Sequence, residues 1–197
     1  MSPRRYRLER RAENAEQTRR RIVEATQALH SEQGIYATSM TQIAERAGVS
    51  VGTVYHHFPT YQDAVAACGR RTAEMAPFPT GQALVGMAGR QDRVRHMARE
   101  IFGFYQRLPM FERVRSERWG MPPIQAYVAQ EESNRIALTR EALRSSDLRL
   151  VTACAALLDV AVYSALTRAG MTPTEAAEEA STFILARLAA EPSGTAS

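Results

Sequence analysis

An all-α fold is what this sequence predicts, and three observations predict it. Apolar residues recur at the three-and-four spacing of a single helix face in one segment after another, as at Ile22, Ala25 and Leu29. Ser, Thr or Asp opens many of these segments and Gly or Pro closes them, which is the chemistry of helix caps and breaks. No stretch alternates apolar and polar residues with the period of two that a half-buried strand needs, and no internal repeat is visible.

Residues 1–15 carry Arg4, Arg5, Arg7, Arg10 and Arg11 without an apolar period and are expected to form a basic flexible arm. Such an arm either reaches into a minor groove and across phosphates or stays a solvated tail. Glu16 to Glu32 reads as the first helix, ended by Gly34. Ser39 followed three residues later by Gln42 is a capping box that opens a second helix just before Ile43. Gly48 ends it, because a residue without a β-carbon takes the left-handed conformation at little cost. Ser50 then caps a third helix, which Pro59 closes by disfavouring helical geometry at Phe58.

Two short helices joined by Ala-Gly-Val-Ser have the layout of a helix-turn-helix, whose second helix is built to enter the DNA major groove. The helical period places Val51, Val54 and Phe58 on one stripe, expected to pack on Ile43, Ala47 and Val49. Gly52, Thr53, His56 and one flank of Tyr55 are left facing outward. Gly52 in the first turn costs about 1 kcal/mol of helix propensity against Ala. Packing alone gains nothing from that, whereas a backbone approaching a phosphate or a base edge gains the absence of a side chain.

Thr38 to Phe58, ending in Gly-Thr-Val-Tyr-His-His-Phe-Pro, resembles the DNA-binding motif of tetracycline-repressor (TetR) family regulators. The resemblance is specific from Arg19 to Val65; beyond that it rests on length and helix pattern. It implies three N-terminal helices, a helix-turn-helix DNA-binding domain over residues 16–60, and a C-terminal helical ligand-binding and dimerisation domain over 61–190. Carried onto this chain, it implies DNA-facing roles for Ser39, Thr41, Gln42, Ser50, Val51, Gly52, Thr53, Tyr55, His56 and His57, with Thr53, Tyr55 and His57 on phosphates. Where the family commonly has a phosphate-binding lysine, this chain has Tyr61, whose phenol brings a donor but no charge.

Tyr61 to Met75 reads as a connecting helix, stopped by Pro77 and Pro79, and the candidate lever between the domains. A short helix is expected over Gln82 to Ala88, then longer ones over Asp92–Leu108 and Ile124–Leu143, with a short charged one at Phe111–Arg118. Asp147 to Arg168 is apolar on nearly every side and is expected to be one long helix. A helix apolar all round must be covered all round, either as a core helix or by a second copy of the chain. Thr172-Pro173-Thr174-Glu175 is a capping box with proline in the first turn and starts a last helix to Ala190. Together these two segments are the expected homodimer surface, and residues 191–197 are expected to fray.

Met97, Phe102, Tyr105, Trp119 and Tyr127 belong to an aromatic and methionine cluster around the break at Gly120, Pro122 and Pro123. The family resemblance implies a small-molecule pocket here. Asp159, inside an apolar helix, either pairs with an arginine or fixes a polar group of the ligand.

The 25 basic residues are all arginine. Residues 1–71 hold 11 arginines against 7 acids, while residues 72–197 hold 14 against 14. The net charge of +4 therefore sits with the helix-turn-helix, where a polyanion would need it. The four histidines and two cysteines show no metal-ligand spacing, no cofactor is expected, and no nucleotide-binding or hydrolase motif appears, so an enzyme is not expected. Leu148 to Leu166 is broken by Arg149, Thr152 and Asp159, which favours a buried helix over a membrane span. With no signal peptide the expected location is cytoplasmic. The reading is a ligand-responsive repressor binding a palindromic operator as a homodimer, released by a small, largely apolar molecule. The alternative is a ligand-binding or scaffold helical protein whose helix-turn-helix does not read DNA.

Overall fold

In the computed structural model, which describes residues 3–190, the chain forms ten α-helices and one 3₁₀ turn with no strand among the described residues. The helices are α1 (Pro3–Gln33), α2 (Met40–Ala47), α3 (Val51–His57), α4 (Tyr61–Met75), α5 (Arg90–Arg107), α6 (Phe111–Ser116), α7 (Pro122–Leu143), α8 (Leu148–Ala156), α9 (Val160–Arg168) and α10 (Pro173–Ala189), with the 3₁₀ turn at Gly81–Leu84. Contacts divide the chain into two units. One comprises the N-terminal segment to Met75 with Arg113–Tyr127, the other Ala76–Glu112 with the chain from Val128 on.

Three elements differ from the expectation. From Pro3 onward the basic arm is the first half of α1, so the helix begins thirteen residues before Glu16. Every described side chain from Arg7 to Gln17 is exposed, which removes the apolar period while leaving the helix intact. The long helix expected over 147–168 is two helices: the chain turns at Leu157–Leu158, and Asp159 caps α9 by accepting from the Ala161 N–H at 2.9 Å. The short helix expected over Gln82–Ala88 is only the 3₁₀ turn at Gly81–Leu84. The frayed tail over 191–197 and the first two residues of the arm lie outside the described residues.

In the first unit α1, α2, α3 and α4 share one core of Ile22, Val23, Ala25, Leu29, Met40, Ile43, Ala44, Ala47, Val54, Phe58, Ala64 and Ala67. In the second, α10 lies along α5 and also packs on α9. Ala176, Ala177 and Ala180 are buried in α10, and such small residues allow close helix approach. Thr172 and Glu175 form the capping box at its start, and hydrogen bonds from Thr172 hold the Glu175 carboxyl below its ordinary pKa.

Beside α5 the rings of Phe102, Phe104, Tyr105, Phe111 and Tyr163 meet at centroid distances of 5.2–5.8 Å for the closest pairs. Under them runs a buried polar network. The Tyr105 hydroxyl donates to Glu131 Oε1 at 2.7 Å, and Arg135 Nε donates to the same oxygen at 3.0 Å. Arg135 also donates to the Ala155 carbonyl at 2.6 Å and to Asp159 Oδ2 at 3.0 Å. Burial alone would lower the Arg135 pKa, but Glu131, Tyr105 and Asp159 outweigh it and the guanidinium stays firmly charged. Burial and the Glu131 carboxylate push the Tyr105 phenol far up. Leu148–Arg168 is long and apolar enough to cross a membrane by composition, yet Asp159 and this network interrupt it.

Candidate nucleic-acid interface

Local chemistry builds the motif one joint at a time. Ser39 accepts the Gln42 N–H at 3.3 Å while Gln42 Oε1 accepts the Ser39 N–H at 2.9 Å, the reciprocal box expected from the sequence. Gly48 takes φ 63° and ψ 42° and ends α2, returning its N–H to the Ala44 and Glu45 carbonyls. Ser50 accepts the Thr53 N–H at 3.0 Å and starts α3, and the two hydroxyls lie 2.8 Å apart. Phe58, extended at φ −137°, closes α3 before Pro59. Val54 and Phe58 are buried against Ile43 and Ala47, with Val49 and Val51 packed at the edge.

Contacts from α1 and α4 then hold the motif in place. Arg21 of α1 donates to the Ala47 carbonyl and, at 3.2 Å, to the Gly48 carbonyl, gripping the turn between the two motif helices. Arg46 of α2 makes a two-pronged pair with Glu32 at 2.8 and 2.6 Å, which lowers the Glu32 pKa. The Arg19 guanidinium lies over the Phe58 ring at 5.3 Å. Thr60 and Asp63 cap α4 reciprocally at 2.9 and 3.2 Å. Arg19, Arg21, Gln33 and Arg46 are position-fixing residues that the sequence reading did not single out. Their only signal was polar side chains at helical spacing on the face of α1 or α2 next to the motif.

The expected interface residues fall into two groups. Gly52, Tyr55 and His56 are exposed and Thr53 half-exposed, as the helical period places them; Thr41 is exposed as well, His57 is half-exposed, and Val51 is half-exposed at the edge of the core. Burial, then His56 and Arg19, lower the His57 pKa against an opposing pull from Glu16. Ser39, Gln42 and Ser50 spend hydrogen bonds on caps, and Gln42 Oε1 also accepts from Gln33 at 3.3 Å. Tyr61 corrects its expectation as a phosphate contact. Its hydroxyl points inward, donating to the Ile35 carbonyl and accepting from His30 Nε2 at 2.9 Å. Burial pushes its pKa up and drives that of His30 down to about 4. A phenol with no charge gains more from this buried chain of hydrogen bonds than from an exposed anion contact.

The expected effector residues divide between the two units. Met97, Phe102 and Tyr105 are buried in the second unit and Asp159 is tied to Arg135 there. Trp119 and Tyr127 belong to the first unit. Trp119 is 68% exposed, stacked under Arg118 at 4.3 Å, and its carbonyl accepts from the Tyr36 hydroxyl. Gly120, at φ +81°, turns the chain directly after it. Trp119 is therefore not a core lining residue. Among the described residues no group of three or more His, Cys, Asp or Glu could hold a metal ion.

Comparison with known proteins places a family match on this segment. The family described as bacterial regulatory proteins, tetR family, matches residues 22–68, covering the three N-terminal helices' core and the start of α4. The HTH-type transcriptional repressor KstR of Mycolicibacterium smegmatis is 31% identical over 99 residues, covering 50% of this chain and 48% of that protein. KstR of Mycobacterium tuberculosis is 33% identical over 100 residues, with 50% and 45% covered. The chain thus spans about half the length of these relatives. Among solved structures, a tetR-family transcriptional regulator from Streptomyces coelicolor matches with a TM-score of 0.64 and 19% identity over 88% of this chain and 81% of that one. The multidrug binding protein EbrR complexed with proflavin matches with a TM-score of 0.58 and 20% identity, covering 86% and 98%. At such identities these two show the fold.

Proposed function

The chain belongs to the tetR family of bacterial regulatory proteins, and we propose that it is a ligand-responsive transcriptional repressor that binds a palindromic operator as a homodimer in the cytoplasm. The observation that carries this reading is the outward face of α2 and α3. Thr41, Gly52, Tyr55 and His56 stand exposed on two short helices whose turn is gripped by Arg21. Thr53, Tyr55 and His57 act on phosphates and set the register. Thr41, Val51, His56 and the amide nitrogen of Gln42 read base edges, each good contact worth about 1–3 kcal/mol of discrimination. Ser39 and Ser50 serve by holding the helix starts in place. That the KstR relatives are repressors supports the sign of regulation.

Dimerisation rests on the faces of α8, α9 and α10 that the chain leaves open. Leu148 and Phe183 are each 61% exposed, and Ala153, Ala156, Ala161 and Ala165 are exposed as well. Only 33% of the most apolar window of Leu148–Arg168 is buried within the chain, so a second copy is the natural cover. The effector is a small, largely apolar molecule taken up in the second unit against Met97, Phe102 and Tyr105, with Asp159 and Arg135 at its polar end. That the structure neighbour EbrR is complexed with proflavin supports a small-molecule effector. By linkage, an effector that weakens operator binding a hundredfold must itself bind the DNA complex a hundredfold less tightly, about 2.7 kcal/mol of coupling.

Selection of bound duplexes from a random pool tests the reading. An inverted repeat with a salt-sensitive affinity is the expected result. No enrichment would leave a helical ligand-binding or scaffold protein with a non-reading helix-turn-helix.

A further inference from the structure

Beyond the motif, the N-terminal half of α1 stands clear of the rest of its unit. Every side chain from Arg7 to Gln17 is exposed, and Leu8, at 59%, has nothing apolar over it. A helix of this length without tertiary packing is marginal by itself. Its charges are sorted. At about 100° per residue, Arg7, Arg10 and Arg11 project within about 80° of the direction of Arg21, the residue that grips the motif turn. Glu9, Glu13 and Glu16 project about 80–140° the other way. Among the described residues none of these three arginines forms an ion pair, while on the other face Glu16 pairs with Arg20 at 3.4 Å. One side of the helix is therefore an uncompensated basic stripe that runs into the helix-turn-helix, and the acids are kept off it.

We infer that Arg7, Arg10 and Arg11 on this face of α1 bind phosphates of the duplex flanking the half-site that α3 reads. The inference rests on the DNA-binding reading proposed above. Charge complementarity names the partner, since a polyanion with phosphates every few ångströms matches arginines repeated at helical spacing. From Arg21 to Arg7 the helix advances about 21 Å, the length of about six base pairs. The contact is to backbone and carries no base preference. It also accounts for the retention of a helix that packs on nothing, because bound phosphates stabilise what tertiary contacts do not.

The test uses the full-length chain and an operator selected from a random pool. R7Q/R10Q/R11Q keeps good helix formers and disturbs no packing, so its thermal midpoint stays that of the wild type. Its log-affinity against log-salt slope should fall by about 5 on the dimer's operator, roughly 0.9 for each phosphate no longer neutralised by the two chains, with affinity reduced by about tenfold or more near physiological salt. Trimming the flanking base pairs should bring the wild type down to the variant and leave the variant unchanged. E9Q/E13Q/E16Q should bind at least as tightly as wild type. A triple arginine variant with the wild-type slope, or a wild type indifferent to trimming, would overturn the inference while leaving the motif reading intact. A wild type that shows no salt-sensitive DNA binding would overturn the underlying reading and this inference with it.

Discussion

The two units of this chain are held together by different physics. The first is assembled from short-range chemistry: Ser39 with Gln42, Ser50 with Thr53 and Thr60 with Asp63 are each three residues apart, and Gly48 supplies a positive φ. The second depends on groups far apart in sequence, since Tyr105, Glu131, Arg135 and Asp159 meet in one buried network. A local cap orients a short helix cheaply, which suits a motif that must present the same face every time. A buried ionic network is costly to assemble and costlier to break, so the packing there depends on all of its members at once.

The difference is sharpest under substitution. Arg135→Met removes the cation between Glu131 and Asp159, side chains that are 3% and 13% exposed, and should cost about 3–5 kcal/mol in a denaturant melt. Next comes acid. His30 is 2% exposed with its pKa driven from 6.5 down to about 4, so the folded first unit holds it neutral. Stability from this group is complete above pH 6.5 and is lost as pH falls toward 4, because the unfolded chain protonates first. The loss is on the order of 3 kcal/mol, and His30→Gln should flatten that part of a stability-versus-pH curve.

What was legible in the sequence follows the same divide. The caps at Ser39, Ser50 and Thr172, the turn glycine at Gly48 and the stop at Phe58–Pro59 were all readable, because each is decided by residues within a turn of one another. The motif and its outward face came with them. The basic arm misleads because a helix exposed on every side, as this one is from Arg7 to Gln17, has no apolar period to show. Asp159 was placed inside one long helix because its neighbours are apolar throughout. It caps a new helix and also pairs with Arg135, twenty-four residues away. Trp119 looked like pocket lining by residue type, but the turn at Gly120 and the Arg118 stack put it at the surface. Tyr61 turned inward for a partner at His30, a contact no local pattern announces.

Smaller effects probe the comparison from the surface. Ala161 is exposed in the single chain, so Ala161→Glu should fold normally. At the proposed dimer face it buries an unpaired charge, and sedimentation should show monomers whose operator affinity is down by about a hundredfold or more. A dimeric variant with full affinity would move the interface elsewhere. Ser50→Ala deletes the cap of α3 and should lower stability by about 1 kcal/mol, read as a shifted denaturant midpoint with unchanged slope. Smallest of all, Tyr55→Phe removes one proposed phosphate contact and should weaken binding several-fold, about 1 kcal/mol, alike on every sequence. Loss confined to particular base pairs would reassign Tyr55 to base reading.

The central claim is that a locally specified reader acts only as half of a dimer built by the other unit. Mobility shift of the full-length chain on a selected inverted repeat, against the same duplex with one half-site scrambled, tests it most directly. The account predicts two chains per intact duplex and binding weaker by about a hundredfold or more on the single half-site. Equal affinity for the two duplexes, or one chain bound to each, would contradict it.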